Sequence, residues 1–198
     1  HGFLVERADV GHDDLVVDRQ VRQVARLRAG GDDDLPGQHL LVTPGIYPLD
    51  ETLVVSRPNT VILGLGFPSF VPTTGRTALR VEAGEGVIVS GLVFDAGAKE
   101  TETLVQIGLP GRTAGRAKNP TCVHDLVCRV GGYGPGKARL MVAIHDSHVI
   151  GDNFWLWRAD HGDNVGWMEN TCDTGLLVAG CAVAVGLLER ALKIDRAD

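Results

Sequence analysis

The densest reactive cluster in the sequence is Asp160-His161-Gly162-Asp163-Asn164, framed by Trp155, Trp157 and Trp167. Two carboxyl groups flanking a glycosidic bond can cleave it when one is protonated and the other ionised. Indole faces stack on sugar rings, and carboxylates accept hydrogen bonds from sugar hydroxyls. Asp160 and Asp163 are therefore the candidate catalytic acids, with Glu169 and Asp173 as further carboxylates in the same stretch. Trp155, Trp157, His161, Asn164 and Trp167 are the candidate substrate contacts. Trp155 and Trp157 stand two residues apart, so on a strand they share one face. A packing reading competes with this one. Inward-facing indoles would fill a core or a loop-covered flank, and Asp or Asn beside Gly commonly builds a turn through its own backbone hydrogen bonds. On that reading residues 160–164 form a corner, and Asp95 and Asp152, at comparable strand ends, do the same.

Other reactive residues point to no established chemistry. His145 and His148 are three apart, which puts them on opposite faces of a strand, and a metal needs convergent ligands. With His161 they define no metal site, and the sequence calls for no cofactor. G-x-S-x-G, H-E-x-x-H and Walker patterns are missing. The glycines of Gly131-Gly132-Tyr133-Gly134-Pro135-Gly136 lack the Lys-Ser/Thr and helix of a phosphate cradle and read as a flexible loop. Cys122, Cys128, Cys172 and Cys181 form no C-x-x-C pair, leaving disulfides and buried thiols both open. A net charge of -6 argues against a nucleic-acid partner, which needs a local excess of Lys and Arg. No apolar run reaches the roughly 18 to 20 residues of a membrane span.

The elements that must position these residues are short. From His39, runs such as Leu40-Leu41-Val42, Leu53-Val54-Val55 and Val61-Ile62-Leu63 are closed by Pro44-Gly45, Arg57-Pro58-Asn59 and Gly64-Leu65-Gly66. Runs this short are strands, because a helix needs some ten residues to bury a stripe. A longer grammar recurs at Val87 to Asp95, Val123 to Val130, Val149 to Trp157 and Ala182 to Leu188: a strand, a small-residue bend, a second strand. Aligning Leu92, Leu126, Phe154 and Leu187 gives spacings of 34, 28 and 33. A period near 30 with variable loops suits a stack of coils. The expected fold is all-β, a right-handed parallel β-helix (solenoid) over residues 38–188. Residues 1–37 differ: Val17, Val21, Val24 and Leu27 fall at helical spacing, which predicts a capping helix from about Asp14 to Arg28 over the open end. Residues 189–198 form a C-terminal tail or cap.

The segments Leu41-Val42-Thr43-Pro44-Gly45-Ile46-Tyr47-Pro48-Leu49 and Thr60-Val61-Ile62-Leu63-Gly64-Leu65-Gly66 resemble the opening coils of pectin-lyase-like β-helix proteins. Asn119-Pro120-Thr121, Trp157 to Gly162 and Val165-Gly166-Trp167 add to a likeness with bacterial secreted proteins related to glycoside hydrolase family 55, across residues 38 to 187. That resemblance implies cleavage of β-1,3-glucan, a polysaccharide or oligosaccharide partner and an extracellular location. It also implies that this chain is an incomplete unit, since family members carry two β-helix halves with the catalytic acid in the second. The alternatives are a non-catalytic polysaccharide-binding or structural β-helix, and an inactive relic.

Overall fold

The computed structural model describes residues 39–112, 114–131, 134–159 and 170–179, together with two short strands before them, β1 (Glu6–Ala8) and β2 (Leu15–Asp18). Every regular element described is a strand. In chain order they continue as β3 (His39–Val42), β4 (Ile46–Leu49), β5 (Leu53–Val55), β6 (Val61–Gly64), β7 (Ser69–Pro72), β8 (Leu79–Val81), β9 (Ile88–Asp95), β10 (Thr101–Ile107), β11 (Thr121–Val130), β12 (Lys137–Ile144), β13 (Val149–Arg158) and β14 (Thr171–Val178). From β9 onward the strands alternate between two sheets. One runs β1-β2-β3-β6-β9-β11-β13, with β7 pairing β4 and β9 beside it; the other runs β14-β12-β10-β8-β5. Apart from the antiparallel β1–β2 pair, the strand pairs within both sheets are parallel. Each coil thus contributes a strand to either sheet and pairs with the coil before and after it.

The register puts Leu126 opposite both Leu92 and Phe154, and all three side chains are buried. That is the alignment expected from the repeat; its fourth member, Leu187, lies outside the described residues. Facing them from the second sheet are Leu79, Val105, Ile107, Val142 and Ile144, so the core is a narrow aliphatic column between the sheets. Besides Phe154, three rings join it. Tyr47, Phe70 and Phe94 stack from coil to coil with centroids 5.8 and 5.6 Å apart.

The small-residue bend of the repeat has a specific geometry. Ladder pairing skips Gly91, Asp125 and Asn153, which sit in line in successive coils with φ of 69°, 50° and 55°. Gly, Asn and Asp adopt this left-handed conformation most readily, which is why the bend takes these residues. Asn153 Nδ2 donates to Asp125 Oδ1 at 2.6 Å, tying one bend to the next. At another corner Asn119 Nδ2 donates to Asn59 Oδ1 at 3.0 Å.

Two expectations are corrected. The predicted helix at 14–28 is contradicted at its start: Leu15–Asp18 is strand β2, paired with β1 and with β3. The run Leu15-Val16-Val17 has β-branched residues that gain more from extending the sheet than from one helical turn. His145 and His148 do not flank a strand; they stand in the turn between β12 and β13, with His148 at φ 55°. The glycine loop is held at its described ends. Gly131 sits at φ 87° against Asn170, and the Gly136 N–H donates to Asn170 Oδ1 at 2.9 Å.

Candidate glycan-binding flank

On β13 the alternation of the strand sorts the side chains. Phe154 and Leu156 point into the core, so Trp155 and Trp157 point out on the opposite face. Trp155 is 62% exposed, which excludes it from the core; Trp157 is half-buried. Their neighbours one coil back are Val127 beside Trp155 and Arg129 beside Trp157.

Arg129 is fixed. Its Nε and Nη2 donate to the two oxygens of Asp95 at 2.6 and 2.7 Å, and Ser69 Oγ donates to Asp95 Oδ2 at 2.6 Å. Asp95 is buried, so the guanidinium replaces the water its carboxylate has lost. The hydrogen bond from Asp95 raises the Arg129 pKa above its ordinary value, outweighing the effect of burial. Asp95 is therefore not a turn residue as its position at a strand end suggests; it is the acceptor of a network across β7, β9 and β11. Asp152 is exposed, with an oxygen 4.0 Å from His124 Nδ1.

Past Trp157 and Arg158 the backbone at Ala159 is tied inward, its N–H donating to Val130 O at 2.9 Å. Asn170 donates to Ala159 O at 2.7 Å, and its other amide atom accepts from Gly136. Ala159 and Asn170 are thus held together. Asp160, Asp163, His161, Asn164, Trp167 and Glu169 lie outside the described residues. Asp173 lies on β14 in the second sheet, where its charge acts on Arg139. The described thiols Cys122, Cys128 and Cys172 are free, and burial pushes the Cys128 pKa far above the ordinary thiol range.

Strands paired in parallel, coil on coil, in two facing sheets define the pectate-lyase-like class of folds. Residues 29–195 match the LAM55 pectate lyase-like domain, and the chain belongs to that family. It is 47% identical over 152 residues to an exo-β-1,3-glucanase of Streptomyces sp. (strain SirexAA-E / ActE), covering 76% of this chain and 25% of that protein. The structure of sacteLam55A from Streptomyces sp. SirexAA-E superposes with a TM-score of 0.72 at 39% identity, over 84% of this chain and 30% of that one. A variant of sacteLam55A in complex with glucose gives 0.71 at 41% identity, over 83% and 29%. The chain spans about a quarter of the length of the curated relative it matches.

Proposed function

We propose that this chain is a right-handed parallel β-helix unit that engages β-1,3-glucan along the flank of Trp155 and Trp157, outside the cell, as part of the glycan-handling surface of a family 55 glycoside hydrolase. The stack extends over residues 38–188 on this reading. The observation that carries it is Trp155, an indole held in solvent on a regular strand, in a chain homologous to a β-1,3-glucanase. An indole pairs a large apolar face with a polar N–H, the combination that suits stacking on a ligand at a wet surface. Arg129, locked by Asp95, adds a planar donor array next to Trp157. On this reading His161, Asn164 and Trp167 supply further contacts, and Asp160 and Asp163 are the acid–base candidates. Hydrolysis needs carboxyl groups roughly 5 to 10 Å apart across the scissile bond.

The test is a titration of laminarin oligosaccharides followed by tryptophan fluorescence. Saturable binding by the wild type is expected, weakened several-fold in Trp155→Ala, in keeping with about 0.5–1.5 kcal/mol for an aromatic contact. Equal binding by both proteins removes the flank. Hydrolysis by this chain alone is expected to be weak or nil; vigorous cleavage lost in Asp160→Asn and Asp163→Asn would assign the acids here.

A further inference from the structure

A concavity lies on the other sheet from Trp155 and Trp157. Strands β5, β8 and β10 and the turns entering them enclose a cleft of about 500 Å3 whose lining includes Glu51, Thr52, Arg76, Thr77, Arg80 and Glu102. Its volume is within the range of roughly 300–1,000 Å3 common for small-ligand sites, although most such sites are apolar. This one is polar, and its charges are balanced.

The balance selects the ligand. An anion drawn to Arg76 and Arg80 meets the carboxylates of Glu51 and Glu102, and a cation meets the reverse arrangement. Arg80 Nε donates to Glu82 at 2.6 Å, and Arg139 lies 3.5 Å from Glu102 while donating to Glu100 at 2.9 Å. Those pairs reduce the net charge that Arg80 and Glu102 offer. What remains is a set of donors and acceptors of both signs with the hydroxyls of Thr52 and Thr77 among them. A neutral polyhydroxylated ligand meets that array without bringing a charge of its own: its hydroxyls donate to carboxylates and its oxygens accept from guanidinium N–H groups. No aromatic ring is among the described residues lining the cleft, so recognition there is by hydrogen bonds rather than stacking.

We infer that the cleft between Glu51, Arg76 and Glu102 is a second, hydrogen-bonding contact for a neutral glycan, an inference that rests on the β-1,3-glucan reading of the tryptophan flank. β13 and the β5–β8–β10 face belong to different sheets and different coils, so the two contacts take separate stretches of polymer. Two such contacts on one chain raise the avidity for a polysaccharide above that for a short oligosaccharide.

Electrophoretic retardation of the whole chain in gels containing laminarin tests this, with Glu51→Ala/Arg76→Ala, the milder Thr77→Val, and Trp155→Ala compared with wild type. Circular dichroism checks that each variant is folded. The double variant is expected to be retarded roughly three- to ten-fold less, the scale of losing one or two hydrogen bonds, and Thr77→Val less affected in the same direction. Wild-type retardation in both cleft variants overturns the second contact, even where Trp155→Ala binds weakly and the flank stands. Weakening in the cleft variants with Trp155→Ala unchanged overturns the flank and keeps the cleft. Stronger retardation by polygalacturonate than by laminarin, lost with Arg76, overturns the neutral ligand class. A wild type that laminarin does not retard overturns both contacts.

Discussion

At Asp95 a carboxylate is buried where an unpaired charge would cost several kcal/mol, and its forked contact with Arg129 offsets that cost. Arg129→Ala should destabilise the protein by about 3–5 kcal/mol, because it leaves the Asp95 charge alone in the core. Removing both charges together, as Asp95→Leu/Arg129→Met, should recover most of that loss. Urea denaturation of the wild type, Asp95→Leu, Arg129→Met and the double variant measures the coupling, and additive single effects would show that the pair does not act as a unit. This residue was not legible in the sequence. Its partner is 34 positions away, and an Asp at the end of a strand looks the same whether it closes a turn or accepts an arginine. The outward placement of Trp155 was half legible: the spacing told that it shares a face with Trp157, but which face meets water depends on Phe154 and Leu156 filling the core.

Among the elements, the close stacking of coils leaves some backbone positions no room. A Cβ at Gly64, the last residue of β6, would collide with the carbonyl oxygen of Gly91 in the neighbouring strand and crowd Leu92 and Pro68. Gly64→Ala should therefore push β6 from β9 and cost roughly 1–3 kcal/mol, as overpacking does. A thermal melt reads this, and a variant that melts with the wild type would mean that the coils yield freely. The glycine was visible as punctuation, though not the reason for it. The first sheet was legible in β9, β11 and β13, because each bend carries Gly, Asp or Asn before an apolar run. The second sheet was less so. β10 opens on Thr101-Glu102-Thr103, whose polar residues mask the strand, and β14 exposes much of both faces. The helical spacing of Val17, Val21, Val24 and Leu27 misled for the opposite reason: four positions match a period that Leu15–Asp18 does not adopt beside β3.

The molecule as a whole is held by contacts between neighbouring coils, each laid on the one before it at an offset near 30 residues, as in the 28 between Asn153 and Asp125. In such arrays the free energy is a sum of unit and nearest-neighbour contributions, so a terminal coil can open while the rest persists. The guanidinium of Arg129 changes that locally. From β11 it grips Asp95 on β9 and reaches Ser69 on β7 at 3.4 Å, which couples a coil to its second neighbour as well as its first. Lifting β9 or β11 leaves its partner's charge unpaired, and lifting β7 takes the Ser69 hydroxyl from Asp95, so fraying in sequence is resisted at each step. In amide hydrogen exchange β7, β9 and β11 should share one high protection level, with β14 exchanging earlier; graded protection through the three would mean the coupling is too weak to matter. A single side chain thereby turns part of a zipper into a block, and gives three otherwise separable strands one shared threshold for opening.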